Sequence, residues 1–261
     1  MKKSLIILAA AVLTLILGTV SLAAPVTPNG IQATALMDFT NLENGEKTMG
    51  DLGFWSVDMS KTVTINNGLI TVNAGDWGAF PSFGDDEKNI LKSADGLGFY
   101  VAAGEAGGGI GCGFNSDTTV NYVLAQDKTA YLVDKDGNVT EATTYFYADT
   151  GQGIIDIPAN FAGYVYFPYE SYIANDGTKA AFDTASQTVA TLIFSTSTTA
   201  NITYGEIYAY SGEYTPEAPG ESGNEDDNKE PSREEGDLSV LSYAAAAVAG
   251  LGGVTFIRKK R

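Results

Sequence analysis

Histidine is absent from all 261 residues, and cysteine occurs once, at Cys112. Without histidine the chain has no Ser–His–Asp triad, no imidazole metal ligand and no histidine proton shuttle. A single cysteine cannot form an intramolecular disulfide bond. These absences leave little equipment for catalysis, and we predict that the protein is not an enzyme.

Basic residues are also scarce, with 15 Lys and Arg against 32 Asp and Glu. All of the acidic residues fall within residues 25–237, together with only nine of the basic ones, so this segment carries a net charge of −23. Such a surface repels phosphate backbones, anionic lipid and acidic glycans. We therefore predict no nucleic-acid partner and expect a neutral or cationic one.

The N-terminus has the pattern of a secretory signal peptide. Lys2 and Lys3 precede an uncharged apolar run over residues 4–20, and Ser21-Leu22-Ala23 then supplies small residues at the two positions that a signal peptidase inspects. We predict a signal peptide over residues 1–23, cleaved after Ala23. A retained membrane anchor is the alternative.

The C-terminus has the pattern of a membrane anchor. Residues 238–257 are uncharged and rich in Ala, Val, Leu and Gly, and a helix of that length spans about 30 Å, the thickness of a bilayer core. The basic tail at 258–261 predicts a cytoplasmic end, because cationic flanks stay inside. The alternative, a buried Ala-rich core helix, conflicts with four cations at its end.

Two compositions divide the rest of the chain. Residues 215–237 are acidic, contain three prolines and lack aromatic residues, which predicts a disordered, extended stalk. Residues 24–214 show no sustained helical period and are predicted to form one all-β domain, a β-sandwich or jelly roll. The predicted strands are 33–39, 62–66, 69–73, 96–103, 109–114, 120–125, 130–133, 139–144, 153–157, 163–168, 188–195 and 202–210.

Glycines mark the connections between these strands. Asn66-Asn67-Gly68 predicts a β-hairpin. The glycine-rich run at 104–113 lacks the helix that must follow a phosphate-binding loop, so a hairpin is the better interpretation. Asp134-Lys135-Asp136-Gly137-Asn138 has its glycine in the wrong place for a calcium loop and predicts a turn.

Aromatic side chains are the strongest candidates for ligand contacts. Trp55 and Trp77 are the only tryptophans. Trp77 lies in a glycine-rich segment, so we predict that a sugar ring stacks on Trp77 while Asp76 accepts hydrogen bonds from its hydroxyls. Tyr100 and Tyr164, at the ends of strands, are further candidates. The alternative is that these rings belong to the core.

Strand alternation gives an expectation for the last strand of the domain. At period two, Tyr204, Glu206, Tyr208 and Tyr210 share one face, with Ile207 on the other. A carboxylate within such an apolar strand is either on the solvent face or paired.

Three segments resemble strands of the galactose-binding-like jelly-roll modules, a carbohydrate-binding-module-like group found in bacterial surface and glycan-degrading proteins. They are residues 37–43 (MDFTNLE), 157–168 (IPANFAGYVYFP) and 204–210 (YGEIYAY), and the resemblance covers most of 33–212. Modules of this group often carry one structural calcium ion near the first and last strands. The resemblance implies that Asp38, Glu43 and Glu206 hold it here.

The C-terminus resembles the cell-wall sorting signal of Gram-positive surface proteins. The apolar span and the basic tail are present, but the Leu-Pro-x-Thr-Gly motif is not, and Glu235 stands where the scissile Thr is expected. We therefore expect no sortase cleavage and retention as a single-pass membrane protein at the cell surface.

Three function classes remain open. The first is a surface module that binds a neutral glycan or mediates adhesion. The second is a structural or receptor-like protein that binds another surface protein, and the third is a glycan-active enzyme. Fold analogy alone does not choose between them.

Overall fold

The computed structural model of the chain describes residues 25–147, 152–197 and 199–216. The predicted signal peptide, the membrane span and the basic tail lie outside these residues, as does the predicted stalk beyond Pro216. No helix within the described residues is long and apolar enough to cross a membrane.

Antiparallel strands make up most of the described chain, which confirms the predicted all-β class. There is one α-helix, α1 (Asp85–Lys92), and one short 3-10 helix (Tyr169–Ser171). The strands are β1 (Gln32–Met37), β2 (Gly45–Thr48), β3 (Thr62–Asn66), β4 (Leu69–Val72), β5 (Trp77–Ala79), β6 (Gly96–Ala103), β7 (Gly108–Ser116), β8 (Asn121–Leu124), β9 (Thr129–Asp134), β10 (Val139–Thr143), β11 (Tyr145–Tyr147), β12 (Gln152–Ile157), β13 (Ala162–Pro168), β14 (Tyr172–Ala174), β15 (Val189–Thr196) and β16 (Ile202–Ser211).

The strands form two sheets. Sheet A has nine strands in the order β10-β9-β13-β6-β16-β4-β3-β2, with β1 also paired to β16. Sheet B has seven strands in the order β11-β12-β7-β15-β5, with β8 paired to β7 and β14 to β8. The sequence also predicted that the strands are connected as in a jelly roll, and this stays a prediction.

The main hydrophobic core lies between the two sheets. Phe194 of sheet B and Tyr204 of sheet A have ring centroids 5.6 Å apart, and Phe167 of sheet A lies 6.4 Å from Tyr172 of sheet B. All four rings are buried. Because each buried aromatic side chain removes about 150–250 Å² from water, these contacts stabilise the face-to-face packing of a β-sandwich.

The hairpin between β3 and β4 is confirmed. Asn66 pairs with Leu69, which leaves Asn67 and Gly68 as a two-residue turn with φ of 50° and 78°. Positive φ at both positions is the requirement of a type I′ turn, which Asn-Gly meets at low cost.

The hairpin predicted at the glycine-rich run is wrong. Residues 104–107 connect β6 of sheet A to β7 of sheet B, so the chain crosses between the sheets. Both edges of β6 are already paired, to β13 and β16, and β7 therefore cannot add beside it.

Helix α1 was not expected from the sequence. Its first turn contains Asp85, Asp86 and Glu87, and its last turn contains Lys92, which is the charge order that complements a helix dipole. Leu91 packs into the main core. The helix is short, so its apolar period was too brief to register.

A β-bulge changes the expected face of one tyrosine. The pairing of β16 with β6 shifts register between Tyr204 and Ile207, which adds one residue to β16. After such a bulge the side chains exchange faces. Tyr204 therefore lies in the core between the sheets, whereas Tyr208 and Tyr210 lie in a separate cluster on the outer face of sheet A. The prediction that Tyr204 shares their face is wrong.

Candidate functional site

Trp77 projects from the outer face of sheet B. It is the first residue of β5, and its neighbour Gly78 faces the core, where an added Cβ would lie 3.0 Å from the Phe194 ring and 3.1 Å from Sδ of Met49. Successive side chains of a strand alternate between faces. The Trp77 indole is therefore on the side away from the core, and it is half-buried.

Trp55 extends sheet B beyond β5. Its N–H donates to the Ala79 carbonyl at 2.9 Å, and the Ala79 N–H donates to the Trp55 carbonyl at 2.7 Å. This bridge brings the two indoles together, with ring centroids 5.4 Å apart and an interplanar angle of 57°. The Trp55 side of the pair is 55% exposed.

Local hydrogen bonds fix the loop that carries Trp55. The Ser56 hydroxyl donates to the Trp77 carbonyl at 3.1 Å, and the Ser56 N–H donates to Sδ of Met59 at 3.3 Å. The Gly50 N–H donates to the Met59 carbonyl at 3.1 Å. Because this backbone is already ordered, the protein would lose little conformational entropy when a ligand binds to these rings.

Two aliphatic side chains in the loop that follows Trp55 are also exposed. Val57 is 71% exposed and Met59 is 43% exposed. Among the described residues only one other large hydrophobic side chain, Tyr145, is classed as exposed. We call Trp55, Trp77, Val57 and Met59 the tryptophan platform. A concentration of exposed apolar side chains of this kind marks a surface that contacts another molecule.

Asp76 directly precedes Trp77 in sequence, and its side chain is in an ion pair. Its carboxylate accepts a hydrogen bond from the Lys61 ammonium group, and the Asp76 residue is only 8% exposed. Asp76 therefore adjoins Trp77 as predicted, together with a cation that the sequence did not indicate. The predicted role of Asp76 as a hydroxyl acceptor stays a prediction.

Tyr100 and Tyr164 lie on the other sheet. Their ring centroids are 5.6 Å apart on the outer face of sheet A. Tyr100 is half-buried and Tyr164 is buried, which raises the pKa of both hydroxyls. The four predicted ligand residues thus form two separate pairs, and Asp76 with Trp77 is the pair beside an exposed ring.

Two of the predicted calcium ligands have local partners at the protein surface. Asp38 accepts a hydrogen bond from the Thr40 N–H at 2.9 Å. Glu43 accepts one from the Lys47 ammonium group at 2.5 Å, and this hydrogen bond lowers the pKa of the Glu43 carboxyl. Each carboxylate is therefore already engaged.

The third predicted calcium ligand is adjacent to the first along the sheet. Met37 pairs with Ile207, so the backbone of Asp38 is next in register to that of Glu206. The Glu206 carboxylate accepts a hydrogen bond from the Tyr208 hydroxyl. In the described part of the chain no three His, Cys, Asp or Glu residues converge as a metal site. Calcium binding stays a prediction.

Trp55, Val57 and Met59 were not selected from the sequence. They alternate with Ser56 and Asp58, a period-two pattern typical of a half-buried strand. The structure forms only the bridge at Trp55 and leaves the apolar side of the pattern exposed. The period-two pattern is visible in the sequence, but the sequence does not show whether another segment covers its apolar side.

Comparison with known proteins gave no family. No protein-family model matches the sequence, and a search of the curated proteins found no match. One similar solved structure is the CBM22-1–GH10 part of endo-1,4-beta-D-xylanase 10B from Clostridium thermocellum in complex with xylohexaose, at 12% identity and a TM-score of 0.27. That match covers 69% of this chain but only 29% of the xylanase structure.

A second similar structure is VP17, a capsid protein of bacteriophage P23-77. It is 11% identical, with 69% of this chain and 99% of VP17 covered and a TM-score of 0.14. TM-scores this low do not establish a shared fold, so neither structure contributes to the argument below.

Proposed function

We propose that residues 24–214 form a carbohydrate-binding module that holds a neutral glycan on the two indole rings of the tryptophan platform. The observation that carries the proposal is the meeting of the only two tryptophans, 22 residues apart in sequence, as one exposed and one half-buried ring on a fixed backbone. The CH face of a sugar ring stacks on an indole, and two indoles inclined to each other offer more than one such contact.

The ion pair between Lys61 and Asp76, the residue before Trp77, would orient the sugar. The Lys61 ammonium group can donate to sugar hydroxyls and the Asp76 carboxylate can accept from them. The net negative charge of the domain disfavours acidic glycans. A neutral glycan is therefore the partner that this chemistry fits, with an affinity of about 4–8 kcal/mol, in the micromolar to millimolar range.

We propose further that the module is displayed at the cell surface as a single-pass membrane protein. This part rests on the sequences of the two ends, which lie outside the described residues. The signal pattern at 1–23 would direct export, and the apolar run at 238–257 with its basic tail would retain the chain in the membrane. The acidic segment between would hold the module away from the surface.

Binding without turnover is the third part of the proposal. It rests on the absence of histidine and on the lack of paired acids along one face of a predicted strand. Incubating the purified chain with a bound glycan and separating the products by chromatography tests it. A shortened glycan would contradict it.

A protein partner is the second candidate. Val57 and Met59 favour it, because exposed aliphatic groups contribute to protein interfaces but offer a sugar no stacking surface. The two candidates therefore differ in their dependence on Val57.

A glycan array probed with the purified full-length chain tests the proposal. Trp55→Ala removes one exposed ring and is expected to weaken glycan binding at least tenfold. Val57→Ser is the matched control, since it removes an exposed apolar group from the same loop but no ring, and glycan binding should be unchanged. A glycan that binds the Trp55→Ala variant as well as the parent would show that the platform is not the site.

A further inference from the structure

The outer face of sheet B continues beyond the two indoles along β15 and β7. Leu192 and Phe194 of β15 and Phe114 of β7 lie in the core between the sheets. Because successive side chains of a strand alternate between faces, the odd-numbered residues at 191–195 and 111–115 lie on the outer face, with Trp77.

Strand register arranges this face in rows that cross the strands. The first row, beside the indoles, consists of Trp77, Ser195 and Gly111. A second row follows at Ile193 and Gly113. The third row, which we call the polar row, consists of Thr191, Asn115 and Asn121. Four residues of β15 separate the first row from the polar row, a distance of about 14 Å along the strand.

The polar row contains only neutral hydrogen-bonding side chains. All three of its residues are half-buried, and the hydroxyl oxygen of Thr191 lies 2.9 Å from that of Ser82. Amides and hydroxyls both donate and accept hydrogen bonds, as the hydroxyls of a sugar do. The polar row therefore offers neutral glycan chemistry at a distance from the rings.

One atom of the polar row lacks a partner. Oδ1 of Asn121 is buried, and no described residue donates a hydrogen bond to it. No other buried side-chain nitrogen or oxygen of the described residues is in this state. Because buried polar atoms are nearly always paired, this exception indicates that a group from outside the chain completes the amide. The terminal torsion of asparagine is soft, so a small rotation turns the amide towards a ligand at the surface.

Sheet B is almost free of charge. Residues 25–237 contain 32 acidic residues, yet the seven strands of sheet B contain one charged residue, Asp156. Its carboxylate accepts a hydrogen bond from the Tyr145 hydroxyl at 2.7 Å. A neutral face on a strongly acidic domain complements an uncharged ligand.

No side chain rises from β7 between the indoles and the polar row, because Gly111 and Gly113 occupy these outward positions. At Gly113 an added Cβ would lie 2.8 Å from the Tyr122 carbonyl oxygen, so the neighbouring strand itself excludes a side chain. A glycine within a strand lets another molecule approach the backbone closely. Ile193, beside Gly113, is half-buried, so solvent reaches the face between its two ends.

We propose that the ligand is a neutral oligosaccharide chain that runs along β15 and β7 from the indoles to the polar row. This proposal rests on glycan binding by the indoles and extends that site to Asn115, Asn121 and Thr191. One end of the chain would stack on the indoles, and a later sugar unit would exchange hydrogen bonds with the polar row. A single sugar ring is too short to contact both ends, so the face selects chains over monosaccharides.

Calorimetric titration of the full-length chain with uncharged β-1,4-linked oligomers of glucose, mannose and xylose tests the proposal. Within the series that binds, the hexasaccharide should bind at least tenfold more tightly than the disaccharide. Asn115→Ala should weaken hexasaccharide binding about fivefold, the effect of one lost hydrogen bond, and leave disaccharide binding within measurement error.

Two further variants support this comparison. Thr191→Val keeps the branched shape that suits a strand, removes only the hydroxyl, and should also weaken the hexasaccharide alone. Asn41→Ala is the matched control, since it removes an exposed amide from the loop between β1 and β2 of sheet A and should affect neither ligand. Trp55→Ala should weaken both ligands.

Equal affinity for the disaccharide and the hexasaccharide would overturn the proposal. So would hexasaccharide binding that is insensitive to both Asn115→Ala and Thr191→Val. If Trp55→Ala still weakens binding in either case, the glycan site on the indoles stands and only its extension fails. The absence of binding by every oligomer would overturn the extension together with the glycan site, so the two failures are distinguishable.

Discussion

Both sheets carry aromatic residues on their outer faces, but these residues are exposed on sheet B and mostly buried on sheet A. On sheet B the tryptophan platform is open, with Trp55 more than half exposed. On sheet A, Tyr100, Tyr164, Tyr166, Tyr208 and Tyr210 form what we call the tyrosine face, and all but Tyr100 are buried. The same residue class is therefore a surface in one place and a second core in the other.

A covering segment makes the difference. The N-terminal stretch packs Val26 and Ile31 on the tyrosine face, and the Tyr166 hydroxyl donates to the Val26 carbonyl. Tyr214 packs from the other end of the domain. Among the described residues no comparable segment covers the platform. The loop that carries Trp55 is hydrogen-bonded to β5 through its backbone, and its apolar side chains are exposed. An aromatic surface becomes a candidate site when no described segment of the chain covers it.

The largest expected effect is on the tyrosine face. Tyr166→Ala should destabilise the fold by about 3–5 kcal/mol, because it empties a fully buried ring site. Tyr166→Phe, which removes only the hydrogen bond to Val26, should cost about 1 kcal/mol. Denaturant unfolding of the parent and both variants measures this.

Trp55→Ala is the comparator from the platform. It should cost less than Tyr166→Ala, about 1–2 kcal/mol, since less than half of Trp55 is buried. Equal destabilisation at the two positions would mean that the platform is a structural layer, and the contrast drawn above would fail.

Calcium is expected to have a smaller effect on stability, at a site that borders the tyrosine face. If Asp38, Glu43 and Glu206 converge on an ion, calcium at ten times its dissociation constant should stabilise the fold by about 1.4 kcal/mol. The melting temperature would then be higher in millimolar calcium than in chelator. Equal melting temperatures in calcium and in chelator would contradict the predicted calcium site.

The smallest effect concerns acid pH and the platform loop. Asp58 accepts hydrogen bonds from the Ser60 hydroxyl at 2.6 Å and from the Ser60 N–H at 3.0 Å, and these lower the pKa of the Asp58 carboxyl. A carboxyl with a lowered folded-state pKa stabilises the fold above its unfolded pKa and loses that contribution as pH falls through the folded value.

The window for this effect is below about pH 4, the ordinary range of an aspartate. Asp58→Asn keeps an oxygen acceptor but does not titrate. Its melting temperature should therefore fall slightly less than that of the parent between pH 5 and pH 2. A steeper fall in the variant would contradict the assignment.

Much of the strand arrangement could be predicted from the sequence because its signals are local. Twelve predicted strands correspond to observed ones, and the Asn67-Gly68 turn was identified from its dipeptide. The bulge before Ile207 coincides with Gly205, an isolated glycine within a strand and a signal of a bulge that strict alternation ignores, so the face of Tyr204 was assigned wrongly. Short strands such as β5 offer too few residues for a period to show.

The site could be predicted only in part, for a different reason. Trp77 was selected because a tryptophan among glycines is conspicuous. Its pairing with Trp55 depends on a bridge between Trp55 and Ala79, which is a non-local contact. Likewise, the burial of Tyr164 depends on distant segments that cover it. Exposure is a property of the assembled fold, and no local pattern encodes it.

Tryptophan fluorescence during a glycan titration tests the central claim most directly. Both tryptophans of the chain belong to the platform, so all of its indole emission reports on that surface. Binding of a glycan from the array should change the emission and saturate with the dissociation constant measured independently by calorimetry. Binding seen by calorimetry with unchanged tryptophan emission would contradict the account, because the glycan would then be held elsewhere on the molecule.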